Sequence, residues 1–121
     1  MTKSMTEFAD EWIAAWNSHD LERILSHYAA DIVFTSPRAA ARLPHTQGTV
    51  RGIDQLREYW APLGKIRPEL KFTLEGVLET VSGCTILYRD ENGLLVAETM
   101  LMEAGGKVVQ GIVSRATHPS Q

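Results

Sequence analysis

The segment from Phe8 to Pro37, FADEWIAAWNSHDLERILSHYAADIVFTSP, constrains the fold more than any other part of the chain. Phe8, Trp12 and Trp16 recur every fourth residue, with Ala9 and Ile13 beside them. A helix therefore carries two indoles and a phenyl ring on one face. Ser4 followed by Glu7 fits a capping box, so that helix is predicted to start near Met5 and to end at Asn17-Ser18. Asp20 is a suitable N-cap for a second helix from Leu21 to about Ala29, with Leu21, Ile24, Leu25 and Tyr28 on its apolar face. Asp31 to Ser36 is rich in β-branched and aromatic residues and reads as a strand that Pro37 ends.

Residues Pro37 to Thr49 lack periodicity and read as a long loop with a helical turn at Ala39–Arg42. Gly52 to Ala61 reads as a third short helix, with Ile53, Leu56 and Trp60 inward and Pro62 as its stop. From Leu70 the period becomes two. Strands are expected near 70–80, 84–90, 94–103 and 107–116, joined by turns at Ser82-Gly83, Glu91-Asn92-Gly93 and Ala104-Gly105-Gly106. Two short helices, a strand, a helix and an antiparallel meander make an α+β chain. With 121 residues it is one domain, 1–121, with 117–121 a polar tail.

The charge is −3 with both signs interspersed, and no basic stripe offers itself to nucleic acid. No apolar run approaches the ~20 residues of a membrane helix. The N-terminus has one lysine and then an acidic amphipathic helix, unlike a secretory signal. Cys84 is the only cysteine, which excludes an internal disulfide and makes the cytoplasm the expected compartment. It reads as a small core residue. The four histidines, His19, His27, His45 and His118, show no metal-ligand spacing, so neither metal nor cofactor is expected. Strand 94–103 is apolar on both faces, with Leu95, Ala97 and Leu101 on one and Val96, Met100 and Met102 on the other. One dry face is expected on the helices and the other against a second copy of the chain, as a homodimer.

Trp16-Asn17-Ser18-His19-Asp20-Leu21, Tyr28 through Phe34, Arg51-Gly52-Ile53 with Tyr59-Trp60, and Gly106-Lys107-Val108-Val109 carry a resemblance. The chain resembles the nuclear transport factor 2-like superfamily, and within it the SnoaL-like polyketide cyclases and ketosteroid isomerase-like proteins. The resemblance implies a curved sheet wrapped around helices as an open cone, an apolar pocket inside and a dimer outside. Isomerases of this kind use a base carboxylate before the proline that ends the first strand, a tyrosine on the first helix and a protonated acid on a later strand. By position these fall on Ser36, Trp12 and Glu98. Only Glu98 keeps a carboxyl, so the usual isomerase mechanism is not implied. SnoaL-type cyclases rely chiefly on one late-strand acid, which falls near Glu98. The Asp–Arg–Asp set of the limonene epoxide hydrolases cannot be assembled.

Glu98 is the sharpest candidate, because alternation with Val96 and Met100 puts a carboxyl on an apolar face. Two readings stand: a pocket acid or base, or a salt bridge to Arg115 on the last strand. His27 and Tyr28 are the accompanying catalytic candidates, as acid–base and orienting groups. Trp12, Trp16, Phe34, Ser36, Trp60, Met100, Gly111, Val113 and Arg115 are the pocket candidates, Gly111 because a missing side chain would leave cavity volume. Arg38 and Arg42 in the long loop are placed to clamp an acidic ligand, or are solvated. The expected function is binding of a small, mostly apolar molecule, with isomerisation, cyclisation or hydration of a carbonyl compound by proton transfer. The alternatives are a non-catalytic binding module and a domain that acts through its exposed sheet face.

Overall fold

The computed structural model describes residues 4–118; the end of the polar tail, 119–121, lies outside the described residues. Helix α1 (Met5–Ser18) starts where Ser4 Oγ accepts the Glu7 N–H at 3.1 Å. It ends at His19, whose φ of 61° turns the chain back on itself. Asp20 then caps α2 (Leu21–Leu25) by accepting the Arg23 N–H at 3.2 Å. This helix stops four residues earlier than its apolar pattern predicts. The backbone beyond it is claimed by the sheet: β1 (Tyr28–Thr35) already pairs at Tyr28 with Val108, and the His27 carbonyl accepts the Val108 N–H at 2.9 Å. Tyr28 is thus a strand residue, and His27 lies in the connection.

The stretch after β1 is better ordered than a loop. Ser36 caps α3 (Pro37–Arg42), and a 3-10 turn follows at Pro44–Thr46. Then β2 (Thr49–Arg51) pairs antiparallel with β1, Phe34 opposite Val50. Three residues are too few to show a period, so this strand has no sequence signal. Helix α4 (Ile53–Trp60) buries Leu56, Tyr59 and Trp60. Pro62, expected only to end it, also precedes a further turn of helix, α5 (Leu63–Ile66). The four late strands are close to expectation: β3 (Thr73–Thr80), β4 (Gly83–Arg89), β5 (Leu95–Met102) and β6 (Val108–Arg115).

The six strands form one curved, unclosed mixed sheet in the order β2-β1-β6-β5-β4-β3. Only the β1–β6 pair is parallel, and it joins the N-terminal strand to the meander. Even-numbered residues of β4 and β5 face the helices: Cys84, Ile86 and Tyr88, then Val96, Glu98 and Met100. Odd-numbered residues of β5 form a half-buried outer face. At the β4–β5 crossing Gly83 lies so close to Met100 that a Cβ there would stand 1.9 Å from the Met100 carbonyl oxygen. No side chain fits against fixed backbone at that distance.

The helix layer is tied to the sheet layer by polar contacts as well as packing. Asn17 Nδ2 donates to the Phe72 carbonyl at 2.9 Å, and the Phe72 N–H donates to Asn17 Oδ1 at 2.7 Å. One amide side chain therefore acts as a strand partner for the segment entering β3. His19 Nε2 reaches the Leu70 carbonyl at 2.7 Å beside it. Losing both Asn17 bonds leaves two partly buried backbone groups unpaired. An Asn17→Ala variant should be about 2 kcal/mol less stable to urea unfolding, with an unchanged far-UV spectrum. A loss below about 0.5 kcal/mol would show that water replaces the clamp without cost.

Candidate functional site

Alternation on β5 turns Glu98 inward, into a wall of aromatic rings. The carboxyl is 5% exposed. Its Oε1 accepts the Tyr88 hydroxyl at 2.7 Å, and its Oε2, fully enclosed, has no partner among the described residues. Tyr88 sits on β4 one step diagonal to Glu98, since Ile86 is directly opposite. Arg115 is not the partner of Glu98; its exposed side chain makes no ion pair among the described residues. Burial pushes the Glu98 carboxyl from the ordinary value of 4.5 up to about 7, against the pull of the Tyr88 hydrogen bond and the Arg67 charge. Burial, with the nearby Glu98 charge, raises the Tyr88 phenol well above its usual value, so it remains a donor.

The cavity that Glu98 faces has a volume of about 60 Å3. That is room for a few water molecules, far below the ~300–1,000 Å3 of ordinary ligand pockets. The spacious apolar pocket expected from the resemblance is occupied by the protein's own rings. Phe72 lies 4.2 Å from Tyr88, Trp16 4.8 Å from Trp60 and Phe34 5.2 Å from Trp60, centroid to centroid. The lining is also mixed: besides rings and aliphatic side chains it includes Arg38, Arg67, Arg115, Asp90 and Ser36.

Of the residues singled out in the sequence, the fold brings Glu98, Trp16, Phe34, Ser36, Trp60, Val113 and Arg115 to this cavity. It does not bring Trp12, Tyr28, His27, Met100 or Gly111 there. Trp12 is fully buried behind the wall, and its indole N–H is spent on the Tyr28 hydroxyl at 3.0 Å. Tyr28 is the acceptor in that bond, and its burial together with the Glu98 charge keeps it protonated. Met100, also fully buried, packs in the core. Gly111 leaves space that the protein fills itself: a Cβ there would stand 3.0 Å from the Phe34 ring across the β1–β6 pairing. His27 belongs to another groove, with Phe8 and Met102, where it contacts the Ile24 carbonyl at 3.1 Å and Glu11 at 3.4 Å. Ser36 uses its hydroxyl to accept the Arg38 N–H at 3.2 Å, the cap of α3.

Sequence reasoning missed Tyr88, Arg67, Tyr59 and Phe72. The Glu91-Asn92-Gly93 turn held a usable signal for Tyr88, because it sets the β4–β5 register and with it the diagonal pair. Arg67 could not be foreseen. It reaches the cavity from the segment after α5, gripped by Glu91 through two bonds of 2.7 and 2.8 Å. Among the described residues, no group of three or more His, Cys, Asp or Glu converges as a metal site, and no helix is long and apolar enough to cross a membrane.

A SnoaL-like domain model matches residues 9–114, and the chain belongs to that family. A SnoaL-like protein of unknown function from Burkholderia thailandensis is 34% identical over 93% of each chain, with a TM-score of 0.88. TerC, solved with polyporic acid, shares the fold at 18% identity, over 94% of this chain and 93% of its own, with a TM-score of 0.75. A putative polyketide cyclase from Sinorhizobium meliloti shares it at 10% identity, over 93% of this chain and 100% of its own, with a TM-score of 0.73. No protein of curated function matches the chain.

The raised carboxyl has a measurable consequence for stability. Between about pH 4.5 and about 7 the unfolded chain has released the Glu98 proton and the folded chain has kept it. Stability must therefore fall as pH rises through this window, by up to roughly 3 kcal/mol. A Glu98→Gln variant should lack that part of the fall. The Glu98 carboxyl carbon should titrate near neutrality by carbon-13 NMR; a midpoint in the normal carboxylate range would refute the assignment.

Proposed function

We propose that this SnoaL-like protein is a cofactor-free proton-transfer enzyme acting on a small carbonyl compound, with Glu98 as its acid–base group. One observation carries the reading: a buried carboxyl on a cavity wall, one oxygen fixed by Tyr88 and the other without a protein partner. A carboxyl poised near neutrality suits both proton abstraction and proton return. Ionised Oε2 takes a proton from the carbon next to the carbonyl. The C–H pair moves into the carbon–carbon bond, and the carbonyl oxygen becomes an enolate. Return of the proton from Oε2 to another carbon completes an isomerisation; in a cyclisation the enolate carbon attacks a second carbonyl, and the alkoxide formed on that oxygen takes the proton back from Oε2. The volume admits only the reacting end of a ligand, which would displace the few water molecules the cavity has room for.

A non-catalytic binding module is the second reading, and two observations favour it. Ser36 stands where related isomerases hold a base, and its hydroxyl caps a helix. The cavity is also small. The two readings separate in deuterium oxide. Wild-type protein should accelerate hydrogen–deuterium exchange next to the carbonyl in a panel of short ketones and enones. Glu98→Gln should lose at least about a hundredfold of that rate, and Tyr88→Phe should shift its pH midpoint. Exchange equal in wild type and Glu98→Gln across the panel would leave only the binding reading.

The protein is also proposed to work as a homodimer in the cytoplasm. The half-buried outer face of β5 and the neighbouring Ile112, 39% exposed, support self-association through the sheet. An Ile112→Glu variant should sediment at half the wild-type mass; an unchanged mass would reject this face as the interface.

A further inference from the structure

We propose that the mouth of the cavity binds a carboxylate through Arg38 and Arg115, so that the ligand is a small oxo acid with its acid at the mouth and its carbonyl end toward Glu98. The inference rests on the reading that this cavity takes a small carbonyl compound, and names the class of compound.

Three guanidiniums from three separate parts of the chain converge on one narrow cavity: Arg38 on α3, Arg67 after α5 and Arg115 at the end of β6. The chain as a whole carries a net charge of −3, so this clustering runs against its overall balance. Three cations against the two nearby carboxylates Asp90 and Glu91 leave the site with an excess of positive charge, which raises its free energy. Burial, then the charges of Arg67 and Arg115, hold the Arg38 guanidinium below the usual arginine value. These are the groups that gain most from an arriving anion.

The nearby carboxylates are held by other partners. Glu91 is gripped by Arg67 through two hydrogen bonds; its charge also reaches Arg38, with which it forms no ion pair. Asp90 Oδ1 accepts the N–H groups of Asn92 and Leu94 at 2.9 and 3.0 Å, which fixes the β4–β5 turn. Glu98 lies deeper, hydrogen-bonded to Tyr88. Arg38 and Arg115 are left without an ion pair or a side-chain hydrogen bond among the described residues. A second observation points inward from the mouth: Oε2 of Glu98, on a residue only 5% exposed, is enclosed and unpartnered. A ligand with a carboxylate at one end and a carbonyl at the other satisfies both ends. A guanidinium can hold a carboxylate through two parallel bonds, which also orients the chain of atoms entering the cavity.

The test uses pyruvate, acetoacetate, levulinate and phenylpyruvate, each beside its methyl ester, titrated into the full chain and followed by NMR shifts of the arginine side chains. At least one acid should bind about tenfold or more tightly than its ester. Its affinity should fall with added sodium chloride, and Arg38→Gln and Arg115→Gln should each weaken it about tenfold. Arg115 is exposed and Arg38 partly buried, and thermal unfolding will confirm that both variants fold. Inorganic phosphate serves as the control for a general anion site: phosphate competing as well as the best acid would overturn the oxo-acid assignment. Acids and esters binding equally, or unchanged affinity in both variants, would overturn the mouth proposal. In those cases Glu98-dependent exchange on neutral ketones would leave the proton-transfer reading standing. Binding of neither acids nor esters, with no such exchange, would overturn both.

Discussion

Everything in this structure is arranged around a block of aromatic side chains that the sheet wraps and never closes over. Trp12 and Trp16 from α1, Trp60 from α4, Phe72 ahead of β3 and Tyr88 from β4 contact one another in sequence, with ring centroids 4.2 to 6.1 Å apart. Such rings bury large areas in fixed relative orientations, which sets the spacing between the layers. The sheet must curve to follow them, and its edges β2 and β3 remain apart. The same block accounts for the small interior, since the volume that a related fold can give to a ligand is here mostly indole and phenyl.

A polar group inside that block is costly unless it is satisfied or used. Trp12 and Tyr28 satisfy each other, and Tyr88 satisfies half of Glu98. The Trp16 indole N–H and the remaining oxygen of Glu98 break the pattern, and burial has moved the Glu98 carboxyl toward neutrality. Arg38 at the mouth, partly buried and without an ion pair among the described residues, adds a departure on the cation side. These departures lie on one cavity. Local rules of stability are most often violated where function requires it.

The SnoaL-like scaffold separates what holds it together from what it can do chemically. The Asn17 clamp, the Gly83 crossing and the parallel β1–β6 pair are architectural. The interior ends of β4 and β5, and the α3 and α5 segments over the mouth, carry the groups that line the cavity. Relatives of the same fold can therefore differ in chemistry with little change in backbone.

Much of the architecture was legible in the residues alone. The spacing of Phe8, Trp12 and Trp16 specified a one-faced helix, and the period of two after Leu70 specified the meander, because burial of one face writes its repeat directly into the chain. Parity along β5 also turned Glu98 inward. Three things needed the folded molecule. The end of α2 depended on β6, some 80 residues away, competing for the backbone at Tyr28. The partner of Glu98 depended on β-register, which made it Tyr88 rather than Arg115. The content of the cavity depended on which rings point into it. Gly111 makes room for Phe34, Trp12 turns its N–H away to Tyr28, and Arg67 arrives from a segment with no periodic signal. Periodicity tells a residue which face it occupies. Only the packing of distant segments decides what stands opposite it.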